Sequence, residues 1–268
     1  MLNNFISWIT RSKLAKVFRK PIPPISPVLW ASATANYEFV RRLSLEDQAR
    51  LRHLASAFLS QKTISGADGQ QITELARVQI AAQACILILN LGLDYYNGWH
   101  EIILYPAQFT TEHEYTDAAG VVHRTRSVLA GEAWLQGPVV LSYEDVATTD
   151  DAHNVVIHEF AHKIDMLNGG ANGYPPLHKA LNREKWKQTF LQAYLQFCEA
   201  VDKAEMLPRR QAHAALDAIP IDPYAAENPA EFFAVCSEVF FEAPEVLAAS
   251  FPAVFEQLAL FYKQNSTK

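Results

Sequence analysis

Two histidines and a glutamate near the middle of the sequence have the types and spacing of a hydrolytic metal site. Apolar residues recur at helical spacing over 155–165, which predicts a largely buried helix. His158 and His162 are four residues apart, so both rings would project from one face, close enough to hold one zinc ion. Glu159 lies about 100° further around such a helix, where its carboxylate could activate a water on the metal without ligating it. This H-E-x-x-H pattern predicts a catalytic zinc site.

An apolar helix is a costly place for these three polar side chains, because buried polar groups without partners lose the free energy of hydration. A metal ion offsets that cost, so we favour a zinc site over a purely structural polar cluster. A structural zinc would need a fourth protein ligand. Only Asp165 or Tyr224 could close the site in that way, which makes a structural zinc the weaker alternative.

The third ligand is left open by spacing alone, since a catalytic zinc usually has three protein ligands and a water. A third histidine six residues after His162 is absent, because Asn168 stands there. The remaining carboxylate candidates are Asp165 on nearly the same face, Glu184 on the following helix, and Glu231 much further along. Spacing favours Glu231, with Glu184 as the main alternative.

Glu231 has a competing structural role, because Asn228 as N-cap with Glu231 three residues on forms a capping box. Glu238 lies two turns further along the same helix face. Two carboxylates on one face of a phenylalanine-rich helix need a cation nearby. A zinc-ligating Glu231 with Glu238 behind it in the second shell would meet that need.

The remaining pattern predicts a mostly helical α+β protein with a small sheet before the metal helix. If strand 139–143 lies at the edge of the cleft, it could align a peptide as an added strand. The predicted helices cover Leu45–Gln61, Thr73 to about 91 and 182–201, and three more begin at Asn228, Pro244 and Pro252. Strands are predicted over 99–105 and 139–143, turns over 64–69 and 117–120, and a loop over 203–223. N-cap candidates for the metal helix stand at 149–151.

Composition limits the function classes. The 268 residues are 50% hydrophobic and carry a formal net charge of −6, which argues against nonspecific nucleic-acid binding as the main role. Cys85, Cys198 and Cys236 fit neither a disulfide framework nor a zinc ligand set, so we expect buried, reduced thiols. No window is apolar enough to cross a membrane, and the first basic residues follow an apolar stretch, unlike a secretory signal. We therefore expect a cytoplasmic protein.

The N-terminal region is predicted to be separate from the catalytic domain, with the boundary near 36. Residues 2–20 could form a basic amphipathic helix, and such a helix can lie on an anionic membrane surface. A helix docked on the domain or a frayed terminus is the favoured interpretation. Prolines between 21 and 27 would then break any helix and give a strap over the surface. The catalytic domain would span 37–268.

Two further blocks, taken with the H-E-x-x-H helix, carry a resemblance to a known family. His158–Asp165 joined to the block Tyr-Ala-Ala-Glu-Asn-Pro-Ala-Glu at 224–231 is specific, and Trp-His-Glu at 99–101 and Gly-Pro-Val-Val-Leu at 137–141 agree with it. From about residue 37 to its end, the sequence resembles the Mlc titration factor A family. Residues 1–20 match no pattern of that family.

The resemblance implies a zincin-like, cytosolic zinc metallopeptidase with aminopeptidase-like activity, whose active-site motif is similar to that of the anthrax lethal factor catalytic domain. It implies His158, His162 and Glu231 as zinc ligands and Glu159 as general base. Tyr224, seven residues before Glu231, matches an active-site tyrosine that donates to the oxyanion or approaches the metal. The partners implied are a peptide substrate and the glucose-responsive repressor Mlc, without direct nucleic-acid binding.

Overall fold

The computed structural model describes residues 22–116, 122–129, 131–133, 137–147 and 153–265. The predicted N-terminal helix over 2–20, the turn over 117–120 and the cap candidates at 149–151 lie outside these ranges. In the part of the chain that is described, every helix is too short or too polar to cross a membrane.

Helices dominate the described chain, as the α+β prediction requires. They are α1 (Pro27–Thr34), α2 (Glu38–Arg41), α3 (Leu45–Gln61), α4 (Glu74–Leu87), α5 (Tyr143–Ala147), α6 (Val155–Asp165), α7 (Arg183–Glu205), α8 (Arg209–Asp217), α9 (Pro229–Glu242), α10 (Pro244–Ser250) and α11 (Pro252–Tyr262), with single 3-10 turns at Leu93–Tyr96, Met166–Asn168 and Pro223–Ala226. The strands are β1 (Thr63–Gly66), β2 (Glu101–Tyr105), β3 (Phe109–Thr116), β4 (Val122–Leu129), β5 (Gly131–Ala133) and β6 (Val139–Ser142).

The main sheet has the order β1-β2-β6-β5. Strands β1, β2 and β6 are parallel, and β5 pairs antiparallel with β6. Strand β6 therefore lies inside the sheet with both edges paired, so the condition under which 139–143 could take an added peptide strand is not met. Strands β3 and β4 form a separate antiparallel hairpin.

Two stretches predicted as turn or loop have regular structure. Residues 63–66 form β1 rather than part of a turn. Strand β1, helix α4 and strand β2 make one parallel crossover unit, which the α+β prediction did not include. In the predicted loop over 203–223, α7 continues to Glu205 and α8 occupies Arg209–Asp217. Pro208 stands directly before α8, where a proline does not interrupt the helix.

Helix α1 also begins at a proline that was expected to break helical structure. Pro27 occupies the first helical position, where its missing N–H costs nothing, and Ser26 caps the helix. Trp30 and Ala33 are buried in the main core, so residues just before position 37 pack on the domain. Cys85 and Cys236 are buried, Cys198 is half-buried, and all three are free thiols.

The core that positions the metal helix α6 is aromatic. Phe160 is fully buried and its ring lies 5.7 Å from Phe58, 5.1 Å from Tyr96 and 5.6 Å from Trp99. Aromatic contacts at these distances add stability beyond the area that they bury. The ring therefore fixes α6 against α3 and the segment before β2, and thereby fixes the direction in which the two histidines point.

We expect Phe160→Ala to reduce the free energy of unfolding by about 3–5 kcal/mol, because it leaves a cavity among fixed aromatic rings. Urea denaturation followed by circular dichroism measures the change. Leu260→Ala is the control, since Leu260 is 54% exposed on α11 and its truncation should shift stability little. Equal losses in the two variants would contradict the role of this cluster.

Candidate metal centre

The two histidines of α6 meet a carboxylate of α9. Nε2 of His158 and Nε2 of His162 are 3.1 Å apart. Oε2 of Glu231 lies 2.9 Å from the first nitrogen and 3.1 Å from the second. One ligand atom from each residue thus converges on a single point, and this is the group of metal-binding side chains found among the described residues.

The triangle formed by these three atoms fits a zinc ion. Zinc binds imidazole nitrogen and carboxylate oxygen at about 2.0–2.2 Å in tetrahedral geometry, which separates neighbouring ligand atoms by about 3.3–3.5 Å. The observed separations of 2.9–3.1 Å need only a small expansion to reach that geometry. Two imidazoles and one carboxylate are also a ligand set that leaves the fourth zinc position open for chemistry.

Glu238 holds the ring of His158 from behind. Its Oε1 lies 2.6 Å from Nδ1 of His158, so a proton on Nδ1 is donated to the carboxylate and the Nε2 lone pair is left for a metal. Burial opposes the charged imidazole, but the Glu238 and Glu231 carboxylates outweigh it and raise the pKa of His158 well above its usual value. The structure therefore places Glu238 where the sequence predicted a second-shell group.

Asn154 connects this support to the start of the metal helix. Its Oδ1 accepts the backbone N–H of Ile157, so Asn154 is the N-cap of α6, rather than a residue from the candidates at 149–151. Its backbone N–H donates to Oε2 of Glu238 at 2.8 Å, and its Nδ2 donates to Oε1 of Glu242 at 2.6 Å. One buried asparagine thus joins the first turn of α6 to two carboxylates of α9.

The side chain of Glu159 packs against Gly131 of β5. A Cβ atom built on Gly131 would lie 2.6 Å from Cγ and 2.7 Å from Oε1 of Glu159, so only glycine leaves room for this side chain. Glu159 is 5% exposed, and burial raises the pKa of its carboxyl to about 7, although His158 and His162 oppose the rise. A carboxyl in this environment is suited to take up and release a proton near neutral pH.

Tyr224 lies at the open side of the site. Its ring is 6.1 Å from the ring of His158 and it is 47% exposed. Burial of its inner part raises the pKa of the phenol, and Glu231 and Glu159 add to the shift, so the hydroxyl stays protonated and can donate. Asp222 caps the turn that carries it by accepting the Tyr224 backbone N–H at 2.8 Å.

Asp165 is placed as an anchor rather than as a ligand. Its Oδ2 accepts the backbone N–H groups of Asn172 and Gly173, both at 2.7 Å. Gly173 has φ +77° and lies so close to the carbonyl of Pro229 that a Cβ atom would come within 2.5 Å of the oxygen. Asp165 thereby ties the end of α6, through this loop, to the first turn of α9.

The other sequence candidates lie outside the triangle. Glu184 is exposed on α7 and accepts a hydrogen bond from Gln188 at 3.1 Å. Asn168, which stands at the third position of the absent histidine pattern, donates to the carbonyl of Tyr174. Asn228 does cap α9, but the Glu231 carboxylate turns to the histidines. The predicted capping box is therefore replaced by an ordinary N-cap.

Sequence reasoning missed three residues that shape the site. Asn154 and Gly131 have no motif around them, although an asparagine directly before an apolar helix is a cap signal. Asp222 stands two residues before Tyr224 in an Asp-Pro turn, which is a signal for a capped turn start.

Comparison with known proteins gives two concordant findings. The family model described as Glucose-regulated metallo-peptidase M90 matches residues 8–263, so the likeness begins well before residue 37 and includes part of the first twenty residues, contrary to the expectation from the sequence motifs. The chain is 38% identical to Mlc titration factor A of Salmonella arizonae over 245 residues, which cover 90% of this chain and 92% of that protein. It is 39% identical to Mlc titration factor A of Escherichia fergusonii (88% and 86% covered) and 37% identical to that of Klebsiella pneumoniae (88% and 86% covered).

We expect purified wild-type protein to carry one zinc ion per chain and Glu231→Ala to lose most of it, because two imidazoles alone bind zinc weakly. Metal content after dialysis, measured by mass spectrometry, is the test, with circular dichroism to show that the variant is folded. Glu184→Ala is the matched control and should keep its zinc. Zinc retained by Glu231→Ala and lost by Glu184→Ala would reverse the assignment.

Proposed function

Because the chain belongs to the glucose-regulated metallo-peptidase M90 family, we propose that it is a zinc-dependent peptidase with aminopeptidase-like activity. The observation that carries the proposal is the convergence of His158, His162 and Glu231 on one point, with the buried carboxyl of Glu159 on the adjoining helix face. Bound there, zinc would polarise the scissile carbonyl and lower the pKa of water to about 7.

Side chains of this protein transfer the proton, stabilise the oxyanion and orient the metal-binding residues. Glu159 takes the proton from the attacking water and passes it to the leaving amine, and its carboxyl pKa of about 7 suits both transfers. Tyr224 donates a hydrogen bond to the oxyanion as charge develops on the carbonyl oxygen. Glu238 keeps the ring of His158 in the tautomer whose Nε2 can bind the metal, and Asp165 holds the end of the helix.

Strand β5 is the best candidate to align the peptide. It forms one end of the main sheet, so one of its edges is unpaired among the described strands, and its Gly131 lies against the Glu159 side chain. An extended peptide could add to that edge by backbone hydrogen bonds, which would bring its scissile bond near Glu159. This role replaces the one that the sequence suggested for 139–143.

We expect Glu159→Gln to lower kcat by about 10²–10⁴-fold with zinc content unchanged, since the amide cannot accept the proton. Hydrolysis of amino-acid p-nitroanilides measures the loss, and the same substrates with acetylated N-termini separate an aminopeptidase from an endopeptidase. Glu184→Gln makes the same chemical change at an exposed position and should remain fully active. Unaltered turnover by zinc-loaded Glu159→Gln would refute the mechanism.

A second function is suggested by the relatives, which are named Mlc titration factor A. We propose that this chain also binds a repressor of the Mlc type, with hydrolysis independent of that binding. In that case the zinc site could serve to shape the binding surface.

We expect Glu159→Gln to retain a purified Mlc-type repressor in a pull-down as well as the wild type does, because the substitution changes no surface residue. A Glu231→Ala variant shown to be folded tests whether the metal is needed for the surface. Failure of both wild type and Glu159→Gln to retain the repressor would exclude this second function.

A further inference from the structure

Asp222 contacts two elements that the proposed mechanism uses. Its Oδ1 caps the turn Pro223–Ala226 by accepting the Tyr224 backbone N–H. Its Oδ2 lies 2.7 Å from Nε2 of His153, the residue directly before the α6 cap Asn154. One carboxylate thus joins the turn that carries Tyr224 to the segment that starts the metal helix.

We propose that His153 is a positioning residue for Tyr224, acting through the carboxylate of Asp222. The inference rests on the proposed function, in which the Tyr224 hydroxyl donates to the developing oxyanion. His153 orients Asp222, Asp222 fixes the backbone of the turn, and the turn sets the distance between the phenol and the metal ligands.

The turn depends on this contact because its two ends are held differently. Ala225 is fully buried, and the carbonyl of Ala226 accepts a hydrogen bond from the hydroxyl of Tyr194 on α7. The end with Tyr224 is more exposed, and its backbone N–H donates to Asp222. The position of the phenol is therefore set from the backbone side, where Asp222 provides the cap.

Because His153 is exposed, an effect of its removal on activity can be distinguished from an effect on the stability of the fold. The His153 side chain is 70% exposed, so its removal costs little packing, whereas the Asp222 side chain is only 27% exposed. The histidine contact also favours the ionised carboxylate, since it lowers the pKa of Asp222 against the opposing effect of burial. An ionised Asp222 can accept from both partners at once, one on each oxygen.

A double-mutant cycle tests the chain of contacts. We expect Tyr224→Phe to lower kcat by about 10²-fold, as loss of an oxyanion donor does, and His153→Ala to lower kcat by about tenfold with KM little changed. In the Tyr224→Phe background His153→Ala should change kcat by less than about twofold, because its effect passes through the lost hydroxyl. Equal losses in both backgrounds, or wild-type kcat in His153→Ala, would overturn the proposal.

Two further variants serve as controls for the contact between His153 and Asp222. Gln at position 153 can still donate to the Asp222 carboxylate, so His153→Gln should recover most of the activity that His153→Ala loses. His213→Ala removes a histidine from another His–Asp pair, whose Nε2–Oδ2 distance is 3.6 Å on α8, and should leave kcat unchanged. A His153→Gln variant no better than His153→Ala would count against the contact.

Hydrogen exchange gives a readout that is independent of peptidase activity. The backbone N–H of Tyr224 donates a hydrogen bond to Asp222. Its hydrogen should exchange several-fold faster in His153→Ala than in wild type or His213→Ala. If wild-type protein hydrolyses no peptide, the proposed function fails, and faster exchange in His153→Ala still supports the contact. If the protein is active but Tyr224 exchange is the same in His153→Ala and wild type, the inference fails and the function stands.

Discussion

The structure depends on balancing negative charge inside the contact between α6 and α9. Glu159 and Glu238 are 5% exposed, and the Glu231 side chain is 14% exposed beside the imidazoles of His158 and His162. Carboxylates removed from water and facing one another are unstable unless a positive charge compensates them. The raised pKa of His158 shows one compensation, a proton. A divalent cation held by His158, His162 and Glu231 would be the other, and it would bind in place of that proton.

The helices that bring these charges together run antiparallel and are joined near both ends. At the start of α6, Asn154 bonds Glu238 and Glu242 in the last two turns of α9. At the end of α6, Asp165 holds the loop whose Gly173 packs against Pro229, the first residue of α9. Hydrogen bonds at one end and a close backbone contact at the other fix both the spacing and the rotation of the pair. This explains why three ligand atoms already lie within 3.1 Å of their neighbours.

How much the sequence predicts depends on whether the deciding interaction is local. The predicted helix starts at Leu45, Thr73 and Asn228 are confirmed, and each is fixed by a cap side chain that accepts a backbone N–H three residues or fewer away. Strand β1 has four residues, too few for a periodic pattern, and it pairs with β2, which lies 38 residues further along the chain. Strand β5 has three residues and is defined by its antiparallel pairing with β6. Spacing favours Glu231 but leaves Glu184 open, since which carboxylate meets the two histidines depends on which helix packs against α6.

The cap of the metal helix combines a local and a distant interaction. Residues 149, 150, 151 and 154 are all of cap-forming type, and Asn154 stands directly before the first apolar residue of the helix. Its backbone N–H also donates to Glu238, 84 residues away. The same carboxylate orients the ring of His158. The start of the helix and the direction of a candidate metal ligand are therefore set by one group, so we expect a substitution of Glu238 to change both the stability of α6 and the affinity of this site for a metal ion.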